Sequence, residues 1–173
     1  MEERMILVHY RKDTERERRF YREVLGAVDK IEGELLFKKL DPRAIIPEYK
    51  TPGAAGFDFH AVEDVVIFPG VVTPVRTGLA AELPPGTMLM IVPRSGYSIN
   101  HPTYISNAPG IVDEDYRGEL KILTVAWNKP IKIQAGERFA QGVIVPYVRS
   151  RIKEVAELGE TIRGSGGFGS TGR

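Results

Sequence analysis

Five short stretches of this chain carry side chains suited to a phosphorylated ligand. The last, RGSGGFGSTGR (163–173), offers the guanidiniums of Arg163 and Arg173, the hydroxyls of Ser170 and Thr171, and one large ring, Phe168. Five of its last ten residues are glycine, and ordering such a segment costs roughly 1–2 kcal/mol of backbone entropy per residue. Charge-assisted bonds to phosphate, about 1.5–3 kcal/mol each, offset much of that cost. The stretch reads as an arm that folds over a phosphorylated ligand and stacks its ring on something flat. A plain solvent tail fits the composition equally well. Gly164 to Gly169 also spells G-x-G-x-x-G, but a dinucleotide site needs a helix behind that loop. Only four residues follow Gly169.

The other four stretches lie upstream. PRSG (93–96) follows the apolar TMLMIV and sets Arg94, Ser95 and the amide of Gly96 at a strand end. Alone, it reads as readily as a turn with a surface arginine. In SNAPGIVDEDYRGEL (106–120), the turn signals NAPG and YRG flank IVDEDY, which predicts a hairpin with Asn107 at its mouth. Asp113 follows two apolar residues, so its carboxylate stands at the edge of buried structure and can serve as a base for a water. Acidic turns also serve solubility alone. In ERFAQGVIVPY (137–147), Gln141 interrupts an apolar strand and needs a hydrogen-bond partner. In GAAGFDFHA (53–61), a glycine turn delivers Asp58 into a strand.

The elements that must position these residues are strands. From Glu34 onward Pro-Gly recurs at 52–53, 69–70, 85–86 and 109–110. Between the turns lie Val- and Ile-rich runs such as FDFHAVEDVVIF, TMLMIV, ELKILTVAWN and FAQGVIVPYV, often alternating in polarity. Short strands with regular punctuation predict a mainly β sandwich or barrel of jelly-roll type. The absence of strand–helix alternation removes the doubly wound nucleotide folds.

Before residue 33 the pattern differs. MILVHY (5–10) reads as a strand, and Thr14 with Glu17 has capping-box spacing. Phe20, Val24, Ala27, Val28 and Ile31 recur at helical spacing, so 14–30 reads as a helix. Residues 1–33 hold eight Lys/Arg and eight Asp/Glu with signs interleaved, which favours a solvated face over a nucleic-acid surface. Over the whole chain, 24 basic and 23 acidic residues give a net charge of +1. No global field draws the protein to nucleic acid or anionic lipid. Cysteine is absent, and His9, His60 and His101 lack metal-ligand spacing. No run is long enough for a membrane span or signal-peptide core, so a soluble cytoplasmic protein is expected (host cytoplasm, if the source is viral).

In order and spacing, the five stretches resemble the five motifs of the trimeric deoxyuridine triphosphatase (dUTPase) family. GAAGFDFHA is similar to the first, PRSG the second, NAPGIVDEDYRGEL the third, ERFAQGVIVP the fourth and RGSGGFGSTG the fifth. The resemblance spans about Leu35 to Arg173 and leaves out residues 1–33. It implies a distorted jelly-roll-like β barrel over 34–158 with an N-terminal strand–helix extension (1–33) and a flexible glycine-rich arm (159–173). It also implies a homotrimer whose active sites are shared: motifs one, two and four from one subunit, three from a second, five from the third. The implied reaction is hydrolysis of dUTP to dUMP and pyrophosphate, assisted by Mg2+.

The resemblance assigns roles residue by residue. Asp113 orients and deprotonates the water that attacks the α-phosphorus. Arg94, Ser95, Gly96 and Gln141 contact phosphates, and Asp58 acts on the metal's water shell. Asn107, the main chain of Gly110, Ile111, Val112 and Asp113, and Lys121 read uracil, while Tyr116 packs under the deoxyribose. Phe168 stacks on the base beside Gly169, with Arg163, Ser170 and Thr171 on the phosphates. Where this chain has Asn100, His101 and Pro102, the family carries a lysine and a glycine. The span from Asp113 to Asn128 is roughly two residues longer than the family pattern, which keeps strand parity and suggests a bulge or a longer strand. Two alternatives stand beside this reading. A dCTP deaminase, or a bifunctional deaminase–dUTPase, places a catalytic glutamate on the strand after motif three, yet LKILTVAWN (120–128) has no carboxylate. A dUTP-gated regulatory binding protein needs a partner surface, for which residues 1–33 are the candidate.

Overall fold

The computed structural model describes residues 33–167 and 170. The strand and helix expected over 5–10 and 14–30 lie outside the described residues. Eleven strands and one short helix follow in order: β1 (Leu36–Lys39), β2 (Phe57–His60), β3 (Val65–Ile67), β4 (Thr73–Arg76), β5 (Leu79–Glu82), β6 (Thr87–Pro93), α1 (Ser95–Asn100), β7 (Thr103–Ile105), β8 (Gly110–Val112), β9 (Lys121–Ala126), β10 (Ile131–Ile133) and β11 (Arg138–Pro146). All strand pairs are antiparallel. They form a four-stranded sheet β2-β11-β6-β8, a three-stranded sheet β4-β9-β7, and the two-stranded sheets β1-β5 and β10-β3. The fold is mainly β and jelly-roll-like, as expected.

Alternating polarity explains which faces meet. In β6, Thr87, Leu89 and Ile91 are buried while Met88, Met90 and Val92 are half-buried. In β2, Phe57 and Phe59 point inward and Asp58 and His60 are part-exposed. Phe37, Tyr49, Phe57 and Phe59 meet edge to face, with ring centroids 5.4–6.4 Å apart, an arrangement worth about 0.5–1.5 kcal/mol per pair beyond burial. Strand β11 crosses this aromatic layer at Gly142. A Cβ there would stand 2.7 Å from Phe57 and 2.8 Å from both Phe59 and Leu89, so only glycine lets the strand lie so close.

Two local expectations are corrected. The segment 106–120 is not a hydrogen-bonded hairpin. β8 pairs with β6 and β9 with β4 and β7, so the chain arches from one sheet to another. The turn signals at both ends are real, but buried Ile91 and Ile122 sit on different sheets and hold the two legs apart. The longer span after Asp113 is also not a bulge in β9, which pairs on both sides without a register shift. The shift falls instead between Arg138 and Ala140 of β11. Among the described residues, no helix is long and apolar enough to cross a membrane.

Candidate active site

The arch encloses a pocket of about 290 Å³. Asn107, Gly110, Ile111, Val112, Asp113, Tyr116 and Lys121, all anticipated from sequence, line it together with Glu119 and apolar residues of β6, β7 and β9. β8 is the edge strand of its sheet, so its outer N–H and C=O groups have no strand partner among the described residues. An edge of this kind can pair with a flat heterocycle as it would with another strand.

Asp113 is exposed at the rim. Its main-chain carbonyl accepts the Tyr116 amide at 3.1 Å, and no described side chain pairs with its carboxylate. The Tyr116 hydroxyl donates to the Glu119 carbonyl at 3.1 Å, and the ring lies over Gly118, where a Cβ would meet Tyr116 Cζ at 2.6 Å. The Glu119 side chain, only 15% exposed, is neutralised from behind. It accepts Arg76 Nε at 3.0 Å and the Gly78 amide at 3.1 Å, and Lys121 Nζ stands 3.7 Å away.

A second cluster forms where β2, β11 and β6 run side by side. Register puts Gln141 opposite Asp58 on one flank and Val92 on the other. Asp58 accepts Arg94 Nε at 2.6 Å on one oxygen and Arg138 Nη1 at 3.0 Å on the other. Arg94 Nη1 also donates to the Arg138 carbonyl at 2.7 Å. Gln141 finds its required partner in the Pro93 carbonyl, 2.8 Å away. Arg94 precedes α1, which opens with Ser95 and Gly96, both exposed. The space a Gly96 Cβ would occupy is open. The result is a half-buried carboxylate that aims an arginine at an exposed turn of free amides and a hydroxyl.

The third group lies on the chain beyond β11. Arg163 and Ser170 are exposed, and Ile152 and Leu158 along the way are 97% and 87% exposed. Phe168, Gly169 and Thr171 lie outside the described residues. The first two groups lie apart on the four-stranded sheet. Val112 pairs with Leu89, which sets Asp113 level with Met88. Arg94 lies six residues further along β6 and its extension, roughly 20 Å of extended strand. That is well beyond the span of one triphosphate.

Glu119, Arg138 and Arg76 escaped sequence reading. Arg138 had a signal, since a carboxylate delivered into a strand requires a cation. Glu119 and Arg76 had none, because their partnership joins positions 43 residues apart.

Fold and site define a class: a jelly-roll-like β fold with a pocket of about 290 Å³, a carboxylate at its rim without a partner among the described residues, and a separate turn that bears an arginine and a hydroxyl. The family model for dUTPase matches residues 42–172. A deoxyuridine 5'-triphosphate nucleotidohydrolase of Nautilia profundicola is 49% identical over 141 residues, covering 81% of this chain and 99% of its own length. Among solved structures, the dUTPase of Staphylococcus bacteriophage 80alpha with dUPNHPP superposes with TM-score 0.72 at 28% identity, covering 81% of this chain and 99% of that one. A dUTPase variant from phage phi11 of S. aureus, whose structure describes the coordination of a structural Mg(II) ion, does so with TM-score 0.66 at 25% identity, over 72% and 98% of the two chains. The chain belongs to the dUTPase family, the deoxyuridine 5'-triphosphate nucleotidohydrolases.

Proposed function

We infer that this chain is a dUTP diphosphatase, hydrolysing dUTP to dUMP and pyrophosphate. The observation that carries the reading is the exposed, unpaired Asp113 carboxylate at the rim of a pocket walled by a free strand edge. Asp113 takes a proton from a water, whose oxygen attacks the α-phosphorus in line, and the α–β bridging oxygen leaves with pyrophosphate. Outer main-chain groups of Gly110 to Asp113, with Asn107 and Lys121, read uracil. Cytosine presents the reversed donor pattern to the same edge, and thymine's methyl meets the wall. Tyr116 fills the space that a ribose 2'-hydroxyl needs.

Arg94, Ser95, Gly96 and Gln141 bind phosphate oxygens. Phe168 covers the base, with Gly169 beside it and Arg163, Ser170 and Thr171 on the phosphates. The roughly 20 Å of strand between Asp113 and Arg94 supports a homotrimer in which one site takes motifs one, two and four from one chain, three from a second and five from the third. The bare apolar residues Ile152 and Leu158 on the way to the arm support the same assembly. In this reading, residues 34–158 form the barrel, 159–173 the arm that closes over a neighbour's site, and 1–33 an extension outside the family match.

No group of three or more metal-ligating side chains exists among the described residues, and Asp58 keeps a lone pair on each oxygen beyond its two guanidinium bonds. Such a set fits Mg2+ carried by the nucleotide phosphates, with Asp58 holding its water shell, since this ion prefers phosphate oxygens and waters to an all-protein cage. When bound, the ion offsets charge on the phosphate oxygens. The residues themselves bind, orient and deprotonate. The reading carries with it a cytoplasmic enzyme, or one of the host cytoplasm if the source is viral. Pyrophosphate release from dUTP, with dCTP, dTTP and UTP as controls, tests the function. Turnover of dUTP alone supports it, and equal turnover of UTP or dCTP sinks it.

A further inference from the structure

Beside the base sits a carboxylate with a different task. Glu114, half-buried, accepts two donors on one oxygen: the Gly86 amide at 2.8 Å and the Tyr147 hydroxyl at 3.0 Å. The Tyr147 amide in turn donates to the Gly86 carbonyl at 3.2 Å. The Glu114 carbonyl accepts Arg117 Nη1 at 2.6 Å, which closes the tip of the arch. Three segments distant in sequence therefore meet at one atom: the arch that carries Asp113, the turn between β5 and β6, and the first residue after β11. From Tyr147 the chain runs exposed through Ser165 toward the glycine-rich end.

We propose that Glu114 is a positioning residue that ties the Asp113 arch to the root of the C-terminal arm through Tyr147. One carboxylate thus fixes the base of one active site and the departure of the arm serving another. The consequence for turnover rests on the shared-site reading above; the tie itself does not. The hydrogen bond it donates to Glu114 also pushes the Tyr147 phenol above its ordinary value, so the hydroxyl remains a donor across the working pH range. A fixed root limits the volume that Arg163 and its neighbours explore and raises their effective concentration at the next subunit's site. Loosening it dilutes the arm without removing any group that touches the nucleotide.

Trypsin reads the root directly, because Arg149, Arg151 and Lys153 follow Tyr147 closely and are exposed. The full-length protein and its E114A, Y147F, E114A/Y147F and E114Q variants would be compared for initial cleavage at Arg149, Arg151 and Lys153, on the segment that leads to the arm, and for kcat/KM on dUTP. Loss of one such bond should speed cleavage about fivefold in E114A and in Y147F. The double variant should be no faster than E114A. E114Q, whose amide oxygen still accepts both donors, should stay within about twofold of the parent, and kcat/KM should fall where cleavage rises. Parental cleavage in both E114A and Y147F, or additive acceleration in the double variant, would overturn the proposal. Faster cleavage with unchanged kcat/KM would uphold the tie and count against arm closure over a shared site. Should E114A fail to fold, Y147F, which loses only a hydroxyl, decides the matter.

Discussion

Asp113 divides its work between backbone and side chain. Its carbonyl holds the turn to Tyr116, so the carboxylate is free for chemistry. D113N should keep this turn and bind a non-hydrolysable dUTP analogue within about threefold of the parent, while kcat drops at least about 100-fold. Turnover within about tenfold of the parent would remove Asp113 as the base. Tyr116 is held by packing against Gly118 as well as by its bond to the Glu119 carbonyl. G118A must therefore push the ring aside, and both it and Y116A, which removes the ring, should narrow the dUTP-to-UTP preference. An unchanged ratio in both variants would show that the ring only supports the arch. At this scale the candidate residues Asp113, Asn107, Arg94 and Gln141 could be picked out because each sits in a short stretch with its own turn or strand signal, while their roles came only from the family resemblance. The supports Glu114 and Glu119 were not, because a partner distant in sequence gives each its role and no local spacing reports that partner; Arg138 was signalled only by the Asp58 carboxylate it pairs with.

The strands show where periodicity informs and where it stops. Strand runs and turn punctuation predicted where strands would form, and burial in β2 and β6 does alternate, but the register that sets Gln141 opposite Asp58 is visible only in the fold. Pairing partners are a different matter. Turn residues on both sides of IVDEDY predicted a hairpin, yet hydrophobic burial on two sheets made an arch, and the candidate pocket is the space between its legs. Gly142 offers a test of the packing behind this layer. G142A brings a methyl within 2.7–2.8 Å of Phe57, Phe59 and Leu89, and overpacking of this kind typically costs about 1–3 kcal/mol. Denaturant unfolding should show that loss with an unchanged m-value. Parental stability would mean that the aromatic layer yields more easily than its edge-to-face geometry implies.

For the whole molecule, the central claim is that no single chain holds a complete site. Barrel, pocket and the Arg94–Gly96 turn are each built within one chain, and a jelly-roll class was legible from strand lengths and turn spacing alone. The assembly that joins them was implied by the family resemblance, and β6 now supplies a physical reason for it: its length separates Asp113 from Arg94 by roughly 20 Å. The most direct measurement mixes two inactive proteins, one carrying D113N and one lacking residues 163–173, under conditions where subunit exchange is verified independently. Sites that draw Asp113 from one chain and the arm from another should form, and dUTP hydrolysis should return to a substantial fraction of the parental rate. Exchange without any return of activity would contradict the shared site.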